Sequence, residues 1–250
     1  MKAQLDLATI DTTSAQYLAR IQQYPWDRIA EDLSAYGAAV LPGLLSADEC
    51  IFAAELRTDP ALTRIPPVAD QRAWGNGDYC YFRYPIPDFV SGLRTALYPQ
   101  LAPIANAWNE RMEIAERYPR THKAYLQSGR NAGQTLSTSM LLDHAAGQQC
   151  LLHQDIYGDL VFPLQVIIAL SRRGEDFVGG EFVITEQRPR MQTRPEVVAL
   201  NQGDAVVFAV SNRPVMGTRG TYRVNLRHGF SKVRQGRQRA LSIIFHDAAA

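Results

Sequence analysis

Cysteine is scarce in this chain, and long apolar runs are missing from it. Three cysteines among 250 residues (Cys50, Cys80 and Cys150) leave one unpaired whatever bonds form, and no C-x-x-C joins them. A disulfide framework is therefore excluded, and reduced thiols in a cytoplasmic protein are the expectation. The longest apolar stretch, Val161 to Leu170, is interrupted by Pro163 and Gln165 and is too short to span a bilayer. Met1 to Gln16 carries one Lys and no apolar run, so no signal peptide is expected. Repeats are absent, and the only low-complexity tract is the tail Ala248 to Ala250. No Ser-His-Asp or Cys-His nucleophile set is legible. Gly179-Gly180 precedes a strand and not a helix, so it marks a bend in a sheet and not a phosphate loop.

What is present suits a sizeable globular core: 46% hydrophobic residues, 20% charged, net charge +1. The texture changes near residue 138. Before it, Trp26, Ile29, Ala30 and Leu33 form a stripe at helical spacing. Ser46-Ala-Asp-Glu49 predicts a capping box. Tyr79 to Tyr84 is strand-like, Phe89 to Arg111 is helical despite Pro99 and Pro103, and a further helix falls around Tyr118 to Ser128. After it come short strands: Cys150–Asp155, Val161–Leu170, Gly180–Thr185, Glu196–Leu200, Asp204–Val210, Tyr222–Val233 and Arg239–Phe245. Many short strands with no long helix among them predict a double-sheet jelly roll. The fold class is thus α+β with a mostly β core. A single domain over 1–250 is expected, with a helical N-terminal part, 1–137, packed around a jelly-roll core, 138–247.

Within that strand list, His153-Gln154-Asp155 puts two metal-binding side chains on one side of a strand, because extended side chains repeat every second residue. In a jelly roll, strands distant in sequence line one mouth, so His228 can meet that pair and Arg239 can reach the same cavity. Two imidazoles and one carboxylate occupy one face of an octahedral Fe(II) and leave three positions open, as a metal that does chemistry requires. A buried Arg needs an anion.

The ordered motifs resemble the Fe(II)/2-oxoglutarate-dependent dioxygenases. Leu152–Gly158, Gly179–Arg190, Tyr222–Gly229 and Ile243–Asp247 look closest to a bacterial subfamily related to alkylated-DNA repair dioxygenases and prolyl hydroxylases. The likeness covers roughly residues 138 to 247, and the helical segment Ala96 to Trp108 is also similar. It implies a double-stranded β-helix in which His153, Asp155 and His228 bind Fe(II) and Arg239 pairs with the distal carboxylate of 2-oxoglutarate. It further implies consumption of O2, with ascorbate as a reductant, and hydroxylation or oxidative demethylation of a C–H bond with release of succinate and CO2. Two departures stand out. Where prolyl-hydroxylase-like members carry Tyr, about nine and three residues before the H-x-D, this chain has His144 and Cys150. The segment Gly129 to Ser137 also differs from the subfamily and bears on the substrate.

Blander readings compete at several positions. His246 is the rival to His228, and its place at the end of the last strand predicts a structural role. His122, between Arg120 and Lys123, reads as surface. Arg237 competes with Arg239 from the same face; Arg239 is preferred because it begins an apolar run. A Cys150–His153 thiol–imidazole pair and a zinc hydrolase are alternatives that leave Arg239 and the strand order unexplained. A non-catalytic, cupin-like module binding a metal or anion is the alternative to an enzyme. For partners, a small-molecule or peptidyl substrate is expected and no membrane. Nucleic acid is the alternative, raised by eleven Lys/Arg against two Asp/Glu between Arg188 and Arg239.

Overall fold

The computed structural model describes residues 14–65, 75–188, 190–218 and 220–249. Most of Met1 to Gln16 lies outside them. Helices α1 (Ser14–Gln22), α2 (Trp26–Tyr36), α3 (Ala47–Glu55), α4 (Asp88–Arg111) and α5 (His122–Asn131) alternate with short strands in the first half of the chain. The capping box forms: Ser46 Oγ accepts from the Glu49 amide, and the Glu49 carboxylate accepts from the Ser46 amide. Helix α4 continues through Pro99 and Pro103. They lie four residues apart, so both missing amides fall on one face, where Pro103 is exposed and the loss falls to water.

The strands are β1 (Ala38–Leu41), β2 (Thr63–Arg64), β3 (Asp78–Phe82), β4 (Gln134–Leu136), β5 (Met140–Ala145), β6 (Cys150–His153), β7 (Leu164–Ala169), β8 (Phe177–Gly179), β9 (Phe182–Gln187), β10 (Arg194–Val198), β11 (Ala205–Ala209), β12 (Asn212–Gly217), β13 (Gly220–Phe230), β14 (Val233–Ile243) and β15 (Ala248–Ala249). An eight-stranded antiparallel sheet runs β1-β11-β7-β14-β5-β3-β2, with β8 also on β14. A five-stranded sheet runs β10-β9-β13-β12, with β6 also on β13. Together they make the expected jelly roll. The apolar outer side of the larger sheet is covered by α3 and α4, which both contact β14. Between the sheets, Phe182 packs against Phe208 and Phe230, with ring centroids 5.0 and 5.3 Å apart.

Three details of the sheets depart from the expectation. The N-terminal part is not purely helical, because β1, β2 and β3 extend the large sheet. Met140–Ala145 and Asn212–Gly217 are additional strands. Finally, β14 begins at Val233, six residues before Arg239. The bend at Gly179-Gly180 is confirmed: both take positive φ (81° and 62°), and a Cβ on Gly179 would sit 2.4 Å from the Lys232 carbonyl oxygen. Among the described residues no helix is long and apolar enough to cross a membrane.

Candidate metal centre

Strand β6 delivers His153 and the following turn delivers Asp155, while β13 lays His228 directly opposite His153. His153 Nε2 lies 3.4 Å from one Asp155 carboxylate oxygen and His228 Nε2 lies 3.3 Å from the other. One ligand atom from each residue falls within 4.8 Å of the others. With metal–ligand bonds of about 2.1 Å, adjacent ligands of an octahedron stand about 3 Å apart, so these donors fit one face of such an ion. Asp155 and His228 are buried and His153 is nearly so (side chains 1%, 2% and 13% exposed).

His153 and Asp155 are held from behind by hydrogen bonds, whereas His228 Nδ1 is buried without a hydrogen-bond partner and its ring is held by packing. His153 Nδ1–H donates to the Leu151 carbonyl at 2.8 Å, which leaves the Nε2 lone pair facing the other two donors. The Asp155 carboxylate accepts from Tyr157 Oη at 2.9 Å and from Gln165 Nε2 at 2.7 Å, and Gln165 Nε2 also donates to Ser242 Oγ at 2.8 Å. The His228 ring is flanked by Phe208 and His153, with centroids 4.5 and 4.4 Å away. Burial is the largest influence on all three ionisations. It raises the Asp155 pKa, but the two imidazoles outweigh it and hold the carboxyl well below its ordinary range. It lowers the His153 pKa, but Asp155 and then Cys150 outweigh it and hold this ring well above its usual value. His228 is pushed down by burial and by His153 beside it. A divalent cation would satisfy all three donors at once, and the donor set fits Fe(II).

Of the other residues singled out in the sequence, His246 is buried near the site, its ring 6.0 Å from that of Tyr157, and its Nδ1 accepts from the Phe162 amide. His122 is a correction: it is not on the surface but buried at the start of α5, Nε2 to the Phe245 carbonyl at 2.9 Å and its ring 5.2 Å from Tyr98. The charged residues on either side of it face outward, and that masked its inward position. His144 and Cys150 both line the interior: His144 Nε2 lies 3.3 Å from Tyr79 Oη, and Cys150 Sγ lies 3.7 Å from His153 Nδ1.

Arg239 is not brought to the triad. The β14–β5 register is unbroken from Arg237 to Ser242, so side chains alternate strictly there. Ser242 faces the interior, where it meets Gln165, and Ala240 and Gln238 share its face. Arg237 and Arg239 take the other face and share Asp143, Nε to carboxylate at 2.5 and 3.3 Å. The expectation for Arg239 rested on the family resemblance and on the apolar run it begins, neither of which fixes the face that the register gives it. A small cavity is lined by Ile167, Ala169, Phe182, Phe230, Gln238 and Ala240 and bordered by Arg173 and Arg239. The Phe182 ring is 6.1 Å from that of His228, so the cavity begins beside the triad.

Gln165, Tyr157, Ser242 and Gln238 were not singled out by sequence reasoning. A signal existed for Gln165, a polar residue inside the apolar run Val161 to Leu170. Gln134 is a further case. Its amide, buried, clasps the loop after Asp155 through the Tyr157 and Leu160 carbonyls and the Leu160 amide. Gly158 makes room for it, because a Cβ there would lie 2.6 Å from the Gln134 amide carbon.

Jelly-roll sheets around a buried His-Asp-His set define an oxygenase of the 2-oxoglutarate–Fe(II) class. The chain belongs to the Oxygenase-NA family, whose model, described as an oxygenase catalysing oxidative methylation of damaged DNA, matches residues 77–248. An uncharacterized protein of Mycobacterium tuberculosis is 44% identical over 168 residues, covering 67% of this chain and 72% of its own. Among solved structures, a prolyl hydroxylase from Trichoplax adhaerens in complex with a hypoxia-inducible-factor peptide fragment superposes with a TM-score of 0.57 at 10% identity, over 93% of each chain. An oxidoreductase of the 2OG-Fe(II) oxygenase family from Burkholderia pseudomallei gives 0.51 at 16%, over 91% of this chain and 94% of its own. At these identities the two structures speak for the fold.

Proposed function

We propose that this protein is an Fe(II)- and 2-oxoglutarate-dependent oxygenase that inserts oxygen into a C–H bond of its substrate. The observation carrying this reading is the triad: His153, Asp155 and His228 bring one donor atom each within 4.8 Å of one another, with His153 and Asp155 fixed by hydrogen bonds. Fe(II) bound there would keep three positions for a 2-oxo acid and dioxygen and would supply the oxidising power. The balance is one substrate C–H, one 2-oxoglutarate and one O2 giving one C–OH, one succinate and one CO2; ascorbate would serve as the reductant that keeps the iron ferrous. The chain's own contribution is positional. Leu151 sets the His153 tautomer, Tyr157 and Gln165 fix the carboxylate, and Phe182 and Phe208 keep water from His228. The test is succinate release from 2-oxoglutarate with Fe(II) and ascorbate in aerobic buffer. Release that persists without O2, or in His228→Ala, removes the proposal.

For the substrate, a base in damaged DNA is the reading favoured over a small molecule or peptide, on two grounds. The family's description names damaged DNA. In addition, Arg190, Arg194 and Arg227 are exposed and, among the described residues, meet no carboxylate, unlike Arg188, which pairs with Glu186 at 2.5 Å. Arg190 and Arg194 sit on the β9–β10 hairpin, whose Gln187 end is three register positions from the Ile184–His228 pair, about 10 Å along the sheet. Cations there would hold phosphates while a flipped base reached the metal. Arg190→Glu with Arg194→Glu should weaken binding to a single-stranded oligonucleotide, and wild-type affinity should fall steeply with salt. No binding at low ionic strength would leave the small-molecule or peptidyl hydroxylase.

A further inference from the structure

The cavity beside the triad holds an amide where a dicarboxylate would require a cation. Gln238 sits on the inner face of β14, directly across from His144 on β5, and is buried. Its Nε2 donates to the Gly180 carbonyl at 2.6 Å, and its Oε1, buried, meets no donor. The remaining lining is mostly apolar: Ile167, Ala169, Phe182 and Phe230. Two arginines border this cavity, and both are engaged elsewhere. Arg173 at the mouth is 46% exposed and lies 3.6 Å from Glu181. Arg239 offers the cavity its backbone amide, which donates to Ser171 Oγ, while its side chain, 45% exposed, turns to Asp143.

We propose that Gln238, and no cation, meets the far end of the 2-oxo acid, so that this chain barely distinguishes a carboxylate tail from a neutral one of equal length. The inference rests on the oxygenase reading above. The amide has one spare N–H and one unmet carbonyl. It can give a carboxylate a single neutral-donor hydrogen bond, and it can equally accept from or pack against an uncharged tail. A guanidinium at that position would add a forked, charge-assisted pair and make the carboxylate strongly preferred. With an amide, the gain on the carboxylate is offset by the cost of burying its charge unpaired.

Calorimetric titration of the Mn(II)-loaded protein with 2-oxoglutarate and with 2-oxopentanoate, which has the same carbon chain and a methyl end, tests this without turnover. The two dissociation constants should agree within about tenfold, and Arg239→Ala and Arg173→Ala should leave both unchanged. Gln238→Lys should tighten 2-oxoglutarate at least about tenfold and leave 2-oxopentanoate where it was. Should the lysine variant not fold, the wild-type ratio and the two arginine variants still decide. A wild-type preference for 2-oxoglutarate above about tenfold, or its loss in either arginine variant, overturns the assignment to Gln238 alone. Failure of both acids to bind the Mn(II)-loaded protein overturns the oxygenase reading, and this inference with it.

Discussion

At the scale of single residues, the site depends on groups that never touch the reacting atoms. Gln165 is the clearest: one amide nitrogen bridges the Asp155 carboxylate and the Ser242 hydroxyl inside a strand that is otherwise aliphatic. Gln165→Leu keeps the volume but frees Asp155 to rotate. Loss of such a supporting hydrogen bond lowers metal affinity about 10- to 100-fold, which Mn(II) titration would measure. His153→Ala, Asp155→Ala and His228→Ala should each abolish stoichiometric metal binding. His246→Ala should retain it, because that ring bonds the Phe162 amide and is not among the converging donors. A His246 variant that lost the metal while a His228 variant kept it would reassign the ligand.

At the scale of elements, two buried contacts tie helices to sheets. Arg213 on β12, 2% exposed, donates to Glu186 on β9 and to the Ser34 and Ala35 carbonyls at the C-terminal end of α2. It thereby satisfies carbonyls that have no intrahelical partner. Arg213→Met strands the buried Glu186 with only Arg188, and a loss of about 3–5 kcal/mol is expected in denaturant unfolding. Helix α5 is docked by His122, whose ring donates to Phe245. Burial pushes the His122 pKa down from 6.5 to about 3, and burial likewise pushes His144 and His246 to about 4. A histidine with a depressed folded pKa is charged more readily when unfolded. The stability these three rings contribute is therefore fully present above about pH 6.5 and drains away as pH falls towards 3–4. The thermal midpoint of the metal-free protein should drop across that window, and less steeply in His122→Gln.

At the scale of the whole molecule, near-zero net charge conceals an uneven distribution. The basic excess between Arg188 and Arg239 is partly consumed by pairing: Arg188 and Arg213 share Glu186, and Arg237 and Arg239 share Asp143. Breaking the Asp143 cluster with Asp143→Asn would leave two half-exposed arginines without their buried partner. The expected result is a protein less stable in unfolding measurements but with unchanged metal affinity, since Asp143 faces away from the triad. A drop in metal affinity in this variant would place Arg239 nearer the site than its register allows.

Sequence alone determined what depends on local spacing and chemical identity. The His-x-Asp pair, the capping box of α3 and the bend at Gly179-Gly180 follow from patterns a few residues long and stand where they were expected, while the short strands follow in kind with shifted bounds and additions. Which side of a strand a residue occupies is a different matter. It depends on where the strand begins and what it pairs with, and a shift of one residue inverts every side chain. The pairing of β14 with β5 puts Arg239 on the outer face with Asp143 and Gln238 on the inner face with the cavity. His122 likewise looked solvated among charged neighbours, and only the packing of α5 on Tyr98 and Phe245 buried it. Identity and spacing named the candidate metal ligands; long-range pairing, set by the burial of whole faces, decided which of their neighbours share the cavity.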